Sequence, residues 1–102
     1  MALFVAEAGD ELVGTVTARL MRPPDFPSLV PHSYASVDTL VVLPNWRHHG
    51  IATALMGACE ARARAWGATR IELVVYEFNE AARRLYDGLG YETLSRRLTR
   101  QL

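Results

Sequence analysis

Over the first 21 residues apolar and polar positions alternate with the period of an extended chain. The runs 3–7 (LFVAE) and 12–21 (LVGTVTARLM) flank AGDE, a turn-rich step. In the second run Leu12, Gly14, Val16, Ala18 and Leu20 alternate with Val13, Thr15, Thr17 and Arg19, which predicts a strand with one buried face. Together the two runs predict an antiparallel hairpin. Residues 34–43 (YASVDTLVVL) are β-branched and aromatic-rich and end continuously apolar, the pattern of a strand buried on both faces. From Gly50 the period lengthens. Ile51, Leu55, Cys59, Ala63 and Trp66 recur at spacings of four, four, four and three, which is an amphipathic helix. Gly57 costs that helix about 1 kcal/mol relative to Ala, and Gly67 offers an αL cap. Residues 70–78 (RIELVVYEF) predict a further strand. Asn79 reads as an N-cap with Glu80 in the first turn. The helix EAARRLYDGL runs to Gly88 or Gly90, and the tail YETLSRRLTRQL predicts a last strand with a polar, solvated edge.

An antiparallel start followed by strand–helix–strand–helix–strand predicts an α/β (α+β) fold, a mixed sheet flanked by helices. The segment 22–33 (RPPDFPSLVPHS) carries four prolines and is excluded from central strands and helix interiors. It predicts a surface loop of the kind that carries specificity. With 102 residues the chain has material for a single domain, 1–102, around one modest core.

Composition narrows the function classes. Half the residues are hydrophobic and 22% are charged, with a formal net charge of zero, so no whole-molecule field favours nucleic acid or a membrane surface. A basic patch at Arg47, His48 and His49 lacks interleaved aromatics for nucleic-acid binding. Cys59 is the single cysteine, leaving neither a disulfide framework nor a cysteine metal cluster. No apolar run approaches a membrane span, and MALFVAEAGDE lacks a basic leader. An intracellular, cytoplasmic protein is expected.

The candidate chemistry begins at residues 45–56 (NWRHHGIATALM), directly after an apolar β run. The leading N–H groups of a helix have no internal partner and sit at the positive end of its dipole, so a loop that exposes them is an anion site. Gly50 admits positive φ and close backbone approach. Ala52 keeps the first turn small, and Pro44 stiffens the exit from the strand. No GxxxxGK[ST] is present, nor a GxGxxG with a ribose-binding acid about twenty residues on. On RHHGIA alone, an anion loop and a plain strand–helix turn containing a Gly both stay open.

The order strand, RxxGxA (Arg47, Gly50, Ala52), long helix, strand, then NEAARRLYDGLGY (Asn79 to Tyr91) resembles the GNAT family of N-acetyltransferases. That family carries [R/Q]-x-x-G-x-[G/A] after its fourth strand, then an Asn, a helix with a Tyr and a "GF" or "GY" strand start. The resemblance covers about residues 34 to 94. It implies acetyl-CoA, or another acyl-CoA, as donor. Its pyrophosphate would lie on the amides of Arg47, His48, His49, Gly50, Ile51, Ala52 and Thr53. The pantetheine arm would exchange main-chain hydrogen bonds with Leu40, Val41 and Val42. Asn79 would bond it from the other side, and Tyr86 would stand near the sulfur. The residues agree in one respect: Asn79 and Tyr86 are two helical turns apart, on a stripe with Ala82 and Arg83 between them.

A thiol like that of coenzyme A has a pKa of about 8.5 and Tyr one of about 10, so Tyr86 as general acid works uphill by about 1.5 units, roughly 2 kcal/mol. A main-chain N–H near Val41 or Val42 would polarise the thioester carbonyl. Deprotonating an amine of pKa about 10.4 at pH 7 costs about 4.6 kcal/mol, which calls for a base. Asp38 is the first choice, with Glu72, Glu77 and His32 as alternatives. Cys59 lies on the apolar stripe as a small hydrophobe, so direct transfer in a ternary complex is preferred to an acyl-enzyme. His48 and His49 are sequence neighbours without a third ligand, and no metal is expected.

The chain departs from the family at its start, where members have a strand and two helices that wall the acceptor site. A truncated start, a partner subunit and a reduced form would each account for this. An uncovered edge and apolar face lead to the expectation of a homodimer. Two functions remain: an N-acetyltransferase acting on a small-molecule or protein amine, and a non-catalytic acyl-CoA-binding module.

Overall fold

The structure, a computed structural model, describes residues 1–22 and 33–102; the predicted Pro-rich loop lies outside the described residues except for its two ends. Strands β1 (Ala2–Ala8), β2 (Glu11–Met21), β3 (Tyr34–Val42) and β4 (Arg70–Leu73) form one sheet in the order β1-β2-β3-β4. The first three are antiparallel and β3–β4 is parallel, which is the predicted mixed sheet. The hairpin between β1 and β2 turns at Gly9, whose φ of 61° is one that glycine adopts without steric cost.

Helix α1 (Ile51–Ala65) and helix α2 (Glu80–Gly88) follow β3 and β4. Helix α1 ends as its sequence predicts. Gly67 takes φ 81°, its N–H donates to the Arg64 carbonyl, and the Ala68 N–H donates to the Ala63 carbonyl, both at 3.0 Å, the paired bonds of a Schellman cap. The core is a cluster of Val16, Ala18, Val37, Leu55, Met56 and Cys59. Tyr86 and Leu89 of the α2 region pack against it. Side chains of the opposite sheet face stay in solvent: Leu3, Val5 and Val41 are 61%, 46% and 48% exposed.

Two predicted strands come out differently. The strand predicted over 70–78 stops at Leu73, because β4 is paired with β3 alone and that pairing ends at Val37↔Leu73. The tail predicted as a last strand forms none: residues 92–102 are exposed and take no backbone hydrogen bond among the described residues. A strand needs a partner, and an alternating sequence does not supply one.

The simple alternation predicted for β2 is also broken. Ala6 pairs with Gly14 and Glu7 with Leu12, so Val13 is an extra, bulged residue. It is buried while Leu12 is half exposed, and its carbonyl accepts from the Leu43 N–H at 2.9 Å. Gly14 has a separate reason to lack a side chain. A Cβ there would stand 3.1 Å from Ile51 and 3.2 Å from Leu55, so its absence lets the first turns of α1 lie close against the sheet.

Candidate active site

The site begins where the sheet comes apart. The β3–β4 ladder ends at Val37↔Leu73, and the next residue of β3, Asp38, is a bulge: Thr17 pairs with Thr39 and Ala18 with Val37, leaving Asp38 unpaired. A bulge bends its strand and sharpens its twist, and here it does so immediately past the last bond to β4. The parted strands leave a cleft of about 170 Å³ lined by residues 37–40, 73–76, Asn79, Ala82 and Tyr86. The expected stripe of α2, Asn79–Ala82–Tyr86, thus forms one wall and β3 another.

Main-chain direction along β3 follows from one bond. Leu43 donates to Val13 on β2, and successive residues of a strand aim their polar groups at opposite edges. The groups of Leu40 and Val42 therefore face away from β2, on the cleft side, and those of Val41 face β2. Leu40 lines the cleft, whereas Val41 and Val42 lie beyond its lining. The Arg47 side chain folds back here, its Nε donating to the Val42 carbonyl at 3.2 Å.

Past Val42 the chain makes a 3-10 turn, Pro44–Trp46, then two left-handed residues separated by one. His48 has φ 67° and Gly50 φ 77°. Gly50 adopts this freely, whereas His48 holds a strain of about 1–3 kcal/mol, a kind that gathers at ligand sites. Left-handed residues in such a turn gather successive N–H groups into an anion-binding concavity. The N–H groups of residues 48–53 donate to no acceptor among the described residues. Helix α1 has neither a side-chain N-cap nor an acidic residue in its first turn, so no group of its own first turn screens the positive end of its dipole. Around Gly50 no atom lies within 4 Å of where a Cβ would stand. Free amides, an unscreened helix end and open space fit a diphosphate at residues 48–53; the Arg47 amide, expected among them, instead donates to the Pro44 carbonyl at 3.4 Å and closes the 3-10 turn. His49 stands edge-on to Trp46, ring centroids 5.9 Å apart, and His48 is exposed.

Asn79 caps a helix and lines the cleft. Its Oδ1 accepts from the Ala82 N–H at 3.1 Å, capping α2. Its Nδ2 has no described partner, and the residue lines the cleft. Tyr86 is half-buried and meets Tyr91 edge-on at 5.7 Å. Burial first, and the neighbouring Cys59 second, push the Tyr86 phenol above its ordinary value, so at neutral pH it keeps its proton. Among the carboxylates, Asp38 lines the cleft, and both its oxygens are held by Arg19: Nε at 2.8 Å and Nη2 at 3.1 Å. Glu72 is bound by Arg70 at 2.6 Å, Glu77 is almost fully exposed, and neither lines the cleft. His32 lies outside the described residues. Cys59 is fully buried, and burial pushes its thiol up, away from nucleophilic use.

Sequence reasoning passed over Arg19, which reads only as a polar position of β2. Its link to Asp38 spans 19 residues and depends on a strand register that no local pattern shows. Tyr91 was likewise noted only as a strand start. Its hydroxyl is buried with no partner among the described residues, and burial, followed by the charge of Glu60, pushes its pKa up to about 12. The unfolded phenol ionises near 10, so the unfolded state binds fewer protons above that pH and stability falls between about pH 10 and 12. Tyr91→Phe should flatten that alkaline loss, as read from urea midpoints against pH; equal slopes in the two proteins would refute it.

Residues 1–91 match the family defined as acetyltransferase (GNAT). The chain belongs to the GNAT family. An acetyltransferase of Pectobacterium atrosepticum is 34% identical over 91 residues, which is 89% of this chain and 57% of that protein. The chain therefore spans somewhat over half the length of this curated GNAT relative. A tetramutant of the BH1408 protein from Bacillus halodurans superposes with a TM-score of 0.91 at 26% identity, covering 98% of this chain and 65% of that one. Aminoglycoside N-acetyltransferase AAC(6')-Iy, solved with CoA, superposes with a TM-score of 0.84 over 98% of this chain and 74% of that one, at 19% identity, a likeness of fold. No helix among the described residues is long and apolar enough to cross a membrane.

Proposed function

We propose that this GNAT chain transfers an acetyl group from acetyl-CoA to an amine by direct attack within a ternary complex. One observation supports this above the others: the bulge at Asp38 opens a cleft where Asp38, Leu40, Asn79 and Tyr86 converge, in line with unengaged amides at the head of α1. Acetyl-CoA supplies an activated thioester and a thiol leaving group. The amides of residues 48–53 hold its diphosphate, with the Arg47 side chain beside them. The main chain of Leu40 in the cleft, and the N–H of Val42 beyond it, receive the pantetheine from one side and Asn79 Nδ2 from the other, with Val41 shaping the strand between them; the Val42 carbonyl is already taken by Arg47. A main-chain N–H of β3 polarises the thioester carbonyl. By the alternation along β3 this N–H belongs to Val42 or Leu40 rather than to Val41.

The acceptor amine must first lose a proton, at a cost of about 4.6 kcal/mol at pH 7 for an ordinary primary amine. Asp38 takes that proton directly or through water, and Arg19 positions its carboxylate. Attack forms the C–N bond, the C–S bond breaks, and the Tyr86 hydroxyl gives its proton to the departing sulfur. The raised Tyr86 pKa makes the phenol a reliable proton store and makes that transfer more uphill than the ~1.5 units between ordinary values. A fold neighbour solved as an aminoglycoside N-acetyltransferase supports an amine acceptor. This reading takes the cytoplasm as the setting and a homodimer as the working form, the latter because the bare sheet face bearing Leu3, Val5 and Val41 calls for a cover.

The test is a thiol-release assay with acetyl-CoA and an amine panel, run beside a calorimetric titration with coenzyme A. Saturable heat together with amine-dependent thiol release is the expected result. Saturable heat with no turnover on any amine would establish the binding-module reading instead. Absence of heat would defeat both.

A further inference from the structure

We infer that Tyr91 is a positioning residue for Tyr86, holding the ring of the proposed general acid at the angle from which its hydroxyl reaches the departing sulfur; this rests on Tyr86 acting as that acid. A general acid works only within hydrogen-bond reach of the atom it protonates. The Tyr86 hydroxyl takes no hydrogen bond among the described residues, so its aim depends on how the ring is held. Helix α2 by itself holds it loosely: none of the helix's residues is fully buried, and the ring torsion of a tyrosine is broad.

The end of α2 supplies the hold. Gly90 takes φ 89°, its N–H donates to the Asp87 carbonyl at 3.1 Å, and the Tyr91 N–H donates back to the Tyr86 carbonyl at 2.9 Å. These are the paired bonds of a second Schellman cap, which brings the residue after the glycine against the residue five positions earlier. One hydrogen bond thus ties the backbones of the two tyrosines. Their rings meet edge-on as well, centroids 5.7 Å apart and planes at 63°, an arrangement that aromatic pairs favour.

Tyr86 lines the cleft, and away from it both rings pack against the core cluster that holds Cys59. Tyr91 is itself enclosed. Its hydroxyl is buried without a partner among the described residues, beside α1, from which the charge of Glu60 reaches it. A hydroxyl without a partner adds nothing to the hold, so the Tyr91 ring carries it. A rigid ring seated on the core, tied by its own backbone to the acid it touches, is a support that keeps Tyr86 pointed into the cleft.

Turnover and coenzyme A affinity of Tyr91→Met and Tyr91→Phe, each made in the wild-type and in the Tyr86→Phe protein, test this. Methionine fills the space without a ring or a fixed shape. Turnover of Tyr91→Met should fall roughly 10-fold to 100-fold, the scale of a misplacement of about 1 Å, with coenzyme A affinity within about threefold of wild type. Tyr91→Phe, which keeps the ring, should restore turnover to within about threefold. In the Tyr86→Phe background Tyr91→Met should cost nothing further, because no hydroxyl is left to aim. The same fractional loss in both backgrounds, an equal fall in coenzyme A affinity, or a Tyr91→Phe as slow as Tyr91→Met would overturn the inference and leave Tyr86 as the acid. Tyr86→Phe turning over within about fivefold of wild type would overturn the reading of Tyr86, and this inference with it. If Tyr91→Met does not unfold cooperatively, Tyr91→Leu replaces it under the same criteria.

Discussion

Tyr86→Phe lowers turnover by about 100-fold to 10,000-fold, the span that a positioned general acid contributes, with little change in coenzyme A affinity. The substitution removes one oxygen. The ring keeps its edge-on contact with Tyr91 and its place against the core cluster, so the protein should unfold at nearly the wild-type urea concentration. The hydroxyl holds no hydrogen bond among the described residues, and its loss orphans no partner. The pH profile separates an acid from a packing group. Because burial raises the Tyr86 pKa, the wild-type acid stays protonated through neutral pH and its rate declines only beyond the ordinary phenol range. In Tyr86→Phe that descent disappears, and the remaining rate depends on how readily the thiolate leaves unaided. Turnover within about fivefold of wild type, across a panel of good acceptors, would remove Tyr86 from the chemistry.

Met56→Ala destabilises the domain by about 2–5 kcal/mol, a large part of the roughly 5–15 kcal/mol available to a protein of this kind. Met56 is the largest fully buried side chain among the described residues and packs among Val16, Val37, Leu55 and Cys59. Its removal leaves a cavity beneath α1, the helix whose first turn offers the amides. The midpoint of thermal unfolding should drop by roughly 10 °C or more, given about 4–8 °C per kcal/mol at this size. Met56→Leu, which conserves volume, should cost under about 1.5 kcal/mol. If both variants unfold at the wild-type temperature, the core does not lie where these contacts put it.

Much of the site was legible because it is local. Left-handed Gly50, the unscreened start of α1 and the cap at Asn79 each follow from a few adjacent residues, and the Asn79–Ala82–Tyr86 stripe follows from helical period alone. Asp38 was singled out for its nearness to the end of β3. Its actual setting, a bulge that parts two strands with an arginine clasping both oxygens, depends on the pairing of β2 with β3. The alternation in β2 misled for the same reason: a bulge at Val13 shifts the period by one residue, and only the partner strand reveals it.

What the chain determined by itself is the order of elements, the caps of its helices and the chemical identity of the loop between β3 and α1, since these rest on backbone preferences and on side chains within one or two turns. The tertiary structure alone decided where β3 and β4 separate, which carboxylate enters the cleft, and that residues 74–78 and the tail remain outside the sheet. Those outcomes depend on contacts between residues far apart in sequence. A strand is defined by the neighbour that bonds to it, and no local pattern of apolar residues names that neighbour.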